Sequence, residues 1–395
     1  SYGQLPNQLA GTTPGTTAQY PYIATMGSGQ VQYLMNGNLA NTVYAPNLIS
    51  PTLTWEKVQT TNYGVDYGLF NNRLSGSFDY YITYTKDMLV ASHQLPAVLG
   101  TSAPPTNSAD LRTNGWELST TWSDHLVHNK LSYSVAVGLA DAQSVITKYG
   151  NNPSGYLLDF IPGQKLGNIW GYVTQGFYPT NAAAQAVNNS ALGGYTWVAG
   201  DIQYKDFSKT GIIGPGQNTL ANHGDLALIG NNTPRYKLSV NLSVAYAGFD
   251  FRAFVFSVLK DQYDPISNYV FGAFAQNEWN LPYKGTMNYW TPTHTNAYFP
   301  TPGFGRSGND QTQTHFLQNS AFTRLKQLTL GYTLPRSTIR RWKLERVRFY
   351  VSGNNLLTLT KIYQGFDPEL VDLHGGSFMT YPLNRSYSFG VQVGL

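Results

Sequence analysis

Cysteine is absent from the 395 residues, and charged side chains are scarce. Without cysteine the chain forms neither a disulfide framework nor a thiolate metal site, so any metal would need oxygen or histidine ligands. Charged residues make up 12% of the sequence, about half the share of a typical soluble domain, which argues against an ordinary soluble enzyme. The 25 Lys and Arg exceed the 21 Asp and Glu by only four, so we expect no nucleic-acid partner.

Long apolar runs are missing as well. The densest one, from Phe254 to Leu259, is six residues long and contains Ser257, whereas a membrane-spanning helix needs about 20 apolar residues. This excludes helical membrane spans. The sequence begins at Ser1 without an initiator Met or a secretion signal, and we expect the chain to be a fragment whose signal lies upstream or has been removed.

Aromatic residues, in contrast, make up 14% of the chain and exclude disorder. Many of them alternate with polar residues at a period of two, and no long stretch shows a period of 3.6. Such alternation is typical of β-strands with one apolar face. It predicts nine strands, at residues 63–69, 74–84, 116–122, 131–139, 236–246, 249–255, 328–332, 347–351 and 387–395.

The connections between these strands fall into two alternating classes. Short ones lie at residues 71–72, 123–129, 247–248 and 334–345, and long ones at 91–110, 144–232, 257–320 and 361–384. Outer-membrane barrels have short periplasmic turns and long extracellular loops, with an apolar face toward lipid and a polar face toward the lumen. A large soluble sandwich or propeller is the alternative, although its loops would be shorter and more even.

The strand number then indicates an incomplete barrel. Single-chain bacterial barrels have an even number of strands, and an open sheet would leave edge amides bare in lipid. The predicted fold is therefore all-β, namely the C-terminal part, about nine strands, of a larger antiparallel transmembrane β-barrel. We assign residues 1–53 to an extracellular loop region and residues 54–395 to the barrel.

Seven segments stand out for their order along the chain. They are PTLTWEK (51–57), LRTNGWEL (111–118), IWGYVTQGF (169–177), IGNNTPRY (229–236), RLKQLTLGY (324–332), VSGNNL (351–356) and YPLNRSYSFG (381–390). Together they resemble the SusC/RagA family of TonB-dependent transporters. The resemblance extends from about residue 50 to the end of the chain.

This resemblance implies a 22-stranded barrel in the outer membrane of a Gram-negative bacterium, surrounded by membrane lipid and lipopolysaccharide. It implies import of oligosaccharides or peptides, driven through TonB, with a SusD-like surface lipoprotein as a cap. The plug domain and the N-terminal half of the barrel, on the same or a companion chain, would complete the transporter. Two other functions stay open: a secreted glycan-binding or glycan-cleaving β protein, and a passive barrel that serves as an adhesin or secretion pore.

Metal binding and catalysis find little support in the sequence. The family often carries an acidic, calcium-like run after a Gly-Asp-Ile segment, but here only Asp201 and Asp206 are acidic, and Lys209 follows them. Calcium needs six to eight oxygen ligands, so we expect no metal. No catalytic motif is present, and we interpret Asp367 and Glu369, which flank Pro368, as solvated loop residues. The expectation is a protein without a cofactor that is not an enzyme.

Loop aromatics are the candidate substrate contacts. Trp279, Tyr283, Tyr289 and Trp290 form the densest such stretch, and aromatic faces stack on sugar rings while amides bind hydroxyl groups. The alternative is that these rings pack loop against loop or against the lipoprotein cap.

A basic cluster that follows the seventh predicted strand and runs into the eighth supplies the second candidate site. Strand parity directs Arg346 and Arg348 into the lumen near its periplasmic end, where a half-buried Arg needs carboxylate partners. We predict that these two arginines contact the plug, with neighbouring lumen-facing strand residues as the alternative partners. Arg336, Arg340, Arg341 and Lys343 are expected to form a solvated periplasmic turn.

Overall fold

A computed structural model describes most of the chain, and antiparallel strands dominate it. The described residues are 1–7, 23–24, 26–35, 37–44, 46, 48–90, 103–127, 130–265, 287–303, 305–363, 366–371 and 381–394. Within these residues no helix is long and apolar enough to cross a membrane.

Ten strands form one antiparallel sheet in the order β1-β4-β5-β6-β7-β12-β13-β16-β17-β18. Each strand of this sheet pairs with the strand of the sheet that comes next along the chain, as expected of an up-and-down barrel wall. Their bounds are β1 (Tyr2–Asn7), β4 (Glu56–Leu69), β5 (Leu74–Val90), β6 (Thr106–Leu126), β7 (Leu131–Tyr149), β12 (Arg235–Tyr246), β13 (Phe249–Lys260), β16 (Phe322–Thr333), β17 (Arg346–Thr360) and β18 (Ser386–Gly394).

Nine of these strands overlap the predicted ones, several of them extending well beyond the predicted bounds, and the tenth, β1, was not predicted. It lies within residues 1–53, which the sequence analysis assigned to an extracellular loop region, and it pairs with β4 from Tyr2↔Thr61 to Asn7↔Glu56. Pro6 has no backbone N–H to donate to a ladder, and it lies opposite Lys57 in this pairing.

Four short connections and four long ones join these nine strands, as predicted. The turn between β4 and β5 places Phe70, Asn71 and Asn72 at positive φ, a conformation that asparagine tolerates well. The turn between β12 and β13 does the same with Ala247 at φ 49° and Gly248 at φ 89°, which is the two-residue geometry that matches strand twist. The connection between β16 and β17 contains a short helix, α2 (Arg336–Ile339).

The two faces of the sheet differ in chemistry. On one face Val240 pairs with Val137 and Val255, and on the other Asn241 pairs with Ala136 and Phe254. Near the end of the chain Phe389 is 89% exposed and lies beside exposed Phe349 and Val351 in a shallow apolar depression. A face of large exposed apolar side chains is what a barrel presents to lipid.

The chain divides into two compact units. The first comprises Ser1–Tyr63, Tyr81–Asn114 and Ser144–Leu166, and it contains β1 and a separate hairpin of β2 (Ser28–Met35) and β3 (Asn38–Val43). The second comprises Gly64–Tyr80, Gly115–Gln143 and Gly167–Leu395, and it contains the pairings from β7 through β18.

Short elements in the long connections of the second unit build additional structure. These are β8 (Asn168–Tyr172), β9 (Thr174–Phe177), α1 (Asn181–Gln185), β10 (Ile202–Tyr204), β11 (Leu226–Asn231), β14 (Gln262–Tyr263) and β15 (Gln318–Asn319). Strand β8 pairs with β11, β9 with β10, and β14 with β15.

Candidate functional site

Two of the long connections share one core, which we call the loop body (residues 168–231 and 287–321). The backbone of Tyr172 bonds to Thr312 and Thr314 at 2.8 and 3.0 Å, and the side chain of Tyr204 lies between the two connections. Its hydroxyl donates to the Gly308 carbonyl at 2.7 Å and accepts from Gln313 at 3.0 Å. Complete burial raises the pKa of Tyr204 well above its ordinary value, so it stays a donor.

A buried ion pair joins the same two connections. Asp201 is fully buried, and its carboxylate accepts hydrogen bonds from Arg306, Asn309 and the Val198 amide. The Asp201 backbone carbonyl also accepts from the Tyr178 amide at 2.9 Å. A buried carboxylate needs this number of donors to offset the loss of water.

Asp201 therefore serves as a structural acceptor, and the nearby Asp206 is bonded within its own loop. Asp206 accepts from the Gly211 amide at 2.9 Å and from the Ser208 hydroxyl at 3.1 Å. The Gly211 hydrogen bond is the main reason that the pKa of Asp206 lies below its ordinary value. The part of the chain that the structure describes contains no group of three His, Cys, Asp or Glu residues arranged to hold a metal ion.

The aromatic candidates divide between described and undescribed residues. Trp279 and Tyr283 lie outside the described residues. Trp290 is 5% exposed and packs against Gly200, whose φ of 86° and missing Cβ allow the indole to approach the backbone. Tyr289, its neighbour, is half-buried and forms a parallel bridge with Phe299. Of the two described candidates, Tyr289 presents the larger surface to a ligand.

A second aromatic group surrounds Tyr298 at the edge of the loop body. Its ring stacks on Tyr363 with centroids 5.0 Å apart, and its hydroxyl accepts from Gln318 at 2.6 Å. Both residues are half-buried, so part of each ring is open to solvent. Burial raises the pKa of Tyr298 to about 12. This pair could not be predicted from the sequence, because its members lie in different loops and share no local pattern.

Asp367 and Glu369 are not the solvated loop residues that we expected. Asp367 accepts from Arg324 at 2.6 Å, and Glu369 accepts from Arg324 at 2.7 Å and from Lys326. Arg324 is 3% exposed. The expectation was wrong because β16 contains a bulge at Lys326, which directs two cations toward one acidic segment that lies more than forty residues away.

The basic candidates lie around an open cleft of about 560 Å³. Arg348 is bonded to both carboxylate oxygens of Asp250, at 2.8 and 2.5 Å, and to Gln392 at 3.2 Å. Arg346, Arg252 and Lys130 also line the cleft, and these three form no ion pair within the described residues. The cleft therefore has an excess of positive charge.

The remaining cations of this cluster are exposed, as predicted. Arg336, Arg340, Arg341 and Lys343 all lie on the surface of the connection between β16 and β17. The guanidinium of Arg341 stacks over the ring of Trp342 at 4.9 Å.

Comparison with known proteins identifies the sheet. The family model for the "TonB dependent receptor-like, beta-barrel" matches residues 1–258, well over half of the chain. The chain belongs to this family. As a member of it, the chain is part of an outer-membrane barrel of a Gram-negative bacterium, and the fold predicted from the alternating pattern is confirmed.

Curated relatives agree with the SusC/RagA resemblance. The receptor barrel is 27% identical to TonB-dependent receptor P3 of Formosa agariphila, covering 96% of this chain and 38% of that protein. It is 25% identical to TonB-dependent receptor SusC of Bacteroides thetaiotaomicron, covering 88% of this chain and 33% of that protein. The chain thus spans about a third to two fifths of these relatives.

Solved structures show the same fold. The structure of the RagAB peptide transporter superposes with a TM-score of 0.74 at 22% sequence identity, over 99% of this chain and 40% of that one. The RagAB peptide importer in its open-open state superposes with a TM-score of 0.73 at 23% identity.

Proposed function

We propose that the protein of which this chain is a part imports oligosaccharides or peptides across the outer membrane. The observation that carries the proposal is a barrel wall of a TonB-dependent receptor family whose long connections share a buried, hydrogen-bonded core. Loops held together in this way can position side chains for a ligand too large for passive diffusion. RagAB is a peptide transporter and supports peptides as one substrate class, and the likeness to the TonB-dependent receptor SusC supports the type of transporter.

Import of this kind needs partners outside the chain. TonB would supply energy through the plug region, and a SusD-like surface lipoprotein would cap the loops. The sequence offers no catalytic motif, so we assign binding and gating rather than a reaction. We assign residues 54–395 to the C-terminal part of the barrel, and the part of residues 1–53 that follows β1 to an extracellular region.

Deletion of the gene tests this proposal directly. The mutant should lose growth on a polymeric glycan or on a protein digest as the sole nutrient, while growth on the corresponding monomers continues. Restoring the gene with an inactive TonB partner should not rescue growth. Unchanged growth on every oligomeric nutrient tested, or rescue without TonB, would contradict the import function.

Within this function, Tyr289 is the described candidate for substrate contact, with Trp279 and Tyr283 as candidates outside the described residues. Trp290 acts mainly by holding the loop, because it is buried against Gly200. Tyr289→Ala should weaken substrate binding, and Tyr289→Phe, which keeps the ring, should preserve most of it. Equal binding by the Ala variant would remove Tyr289 from the site.

The cleft around Arg346 is the proposed contact with the plug. Arg348 is already paired with Asp250, so Arg346, together with Arg252 and Lys130, is the better source of charge for plug carboxylates. Arg346→Gln should loosen the plug, raising leakage of large antibiotics and lowering import, while barrel assembly stays normal. Arg336→Gln, on the exposed turn, is the matched control.

Arg348 is tested as a pair, because Arg348→Gln alone would leave Asp250 without its partner. The double variant Arg348→Gln with Asp250→Asn should change leakage less than Arg346→Gln does. A structure of the whole transporter in which the Arg346 guanidinium lies beyond ~4 Å from every plug carboxylate, the usual ion-pair limit, would end the plug assignment.

A further inference from the structure

Two cations flank one tyrosine on the apolar face of the first compact unit. The Lys86 ammonium lies 5.7 Å from the centroid of the Tyr84 ring, and the Arg112 guanidinium lies 5.8 Å from it. Tyr84 is 37% exposed, and it continues the row of exposed Phe78 and Tyr80 along β5. Lys86, Tyr84 and Arg112 therefore form one cationic and aromatic cluster on the face that contacts lipid.

The nearby carboxylates, Asp87 and Asp110, are bonded elsewhere and form no ion pair with this cluster within the described residues. Asp87 accepts from the Lys57 ammonium at 3.2 Å, and Asp110 accepts from the Asp87 amide at 2.9 Å. Neither Lys86 nor Arg112 forms an ion pair within the described residues. The Nε of Arg112 is buried and has no hydrogen-bond acceptor, so a ligand would approach the terminal nitrogens of the guanidinium.

The position of the cluster along β5 gives its depth in the membrane. Tyr84 lies eleven residues after Arg73, where the short turn before β5 ends. A strand rises about 3.3 Å per residue, and barrel strands are tilted by about 40°, so eleven residues rise roughly 28 Å along the membrane normal. The apolar band of an outer-membrane barrel is about 25 Å tall and ends in an aromatic girdle. Counted from the short-turn end, Tyr84 and its two cations lie just beyond the far edge of this band, at the headgroups of the outer leaflet.

We propose that Lys86, Tyr84 and Arg112 form a binding site for the phosphorylated headgroup of an outer-leaflet lipid. An Arg fork with a free Lys beside it matches the geometry and charge of a phosphate group. The tyrosine ring packs at the boundary between acyl chains and headgroups, as aromatic side chains do at membrane interfaces. The site is separate from the import function and does not depend on it.

The full-length transporter, purified in detergent, tests the site with lipid A that carries or lacks its phosphates. Binding is measured by native mass spectrometry and by the shift in unfolding temperature. The wild-type protein should bind phosphorylated lipid A more tightly. Lys86→Gln with Arg112→Gln should weaken that binding by more than about tenfold, because the loss of even one charge-assisted contact lowers affinity by about that factor. Binding of the dephosphorylated lipid should not change.

Lys148 supplies the matched control, because it is an exposed lysine near the long-loop end of β7 but belongs to the opposite face by strand parity. Lys148→Gln should leave lipid A binding unchanged. Equal affinity of the wild type for the two lipid forms would overturn the proposal. So would an equal loss in the Lys148 variant, or displacement of lipid A by millimolar inorganic phosphate, which would indicate a site for free anions.

Discussion

Arg306 and Asp201 lie 105 residues apart in the chain, yet one guanidinium nitrogen of Arg306 bonds both carboxylate oxygens of Asp201, at 2.9 and 2.8 Å. Asp201 is fully buried and Arg306 is mostly buried. The pair therefore links two long loops that are far apart in the sequence.

Breaking this pair should loosen the loop body without affecting the barrel. Removing one partner of a buried pair typically costs about 3–5 kcal/mol, because the other charge stays buried. We expect Arg306→Gln to make residues 168–231 sensitive to protease, while heat-modifiable migration of the barrel on gels stays as in the wild type.

The ion pair of Lys57 and Asp87, which is far more open to solvent than that of Arg306 and Asp201, provides the comparison. Lys57→Gln should have little effect, since exposed pairs contribute about 0–1 kcal/mol. If Arg306→Gln leaves the loops as protease-resistant as Lys57→Gln does, the ion pair does not hold the loop body together.

The two faces of β12 should respond differently to the same substitution. Val240→Arg places a charge on the lipid face at mid-depth, which costs about 2–4 kcal/mol and should reduce assembled barrel in the outer membrane. Asn241→Arg faces the open side, beside Arg252 in a separate depression, and should assemble normally. Equal assembly defects in both variants would contradict the face assignment.

The C-terminal strand should be required for insertion. Strand β18 pairs with β17 from Arg346↔Gly394 to Asn354↔Ser386, so deletion of residues 389–395 removes most of that ladder. The deletion leaves unpaired backbone groups in lipid, each costing several kcal/mol. We expect the truncated protein to be absent from the outer membrane, which surface labelling of intact cells would reveal. Normal surface exposure would refute this.

Loop stability should depend on pH through Asp264. Burial raises the pKa of this carboxyl to about 6, and a hydrogen bond from Thr312 only partly offsets that effect. In the unfolded chain the pKa is near 3.9, so the folded loop binds more protons between about pH 4 and pH 6, and its stability decreases as pH rises through that range.

Asp264→Asn removes this penalty above pH 6. We expect the variant to show slower amide exchange than the wild type in residues 287–321 at pH 7.5, and the same exchange, after correction for intrinsic rates, at pH 4. If the variant and the wild type were equally protected from exchange at both pH values, the ionised form of Asp264 would not be disfavoured in the fold.

Local pattern was sufficient for the barrel wall and insufficient for the loops. Strands such as β12 can be recognised from the sequence, because every second residue must be apolar to face lipid. Strand β1 escaped prediction because Gly3 and Pro6 interrupt any alternation and its pairing partner, β4, lies about fifty residues away. Its pairing with β4 is a tertiary effect that single-strand periodicity does not contain.

The candidate sites show the same limit. Parity correctly separated Arg348 from the lipid-facing Phe349, but the partner of Arg348 is Asp250, which lies 98 residues earlier. The interpretation of Asp367 and Glu369 as solvated residues failed for the same reason, since their cations lie on β16. Charge pairing across strands depends on register, and register appears only when the sheet is assembled.

The shared core of the loop body constrains how this protein can diversify. A chimera that received only residues 168–231 from a relative would keep Arg306 and Asn309. It would retain their bonding partner only if the relative also has a carboxylate at the position of Asp201. The two connections therefore form a single module for recombination, and we expect new ligand preferences to arise when both are exchanged together.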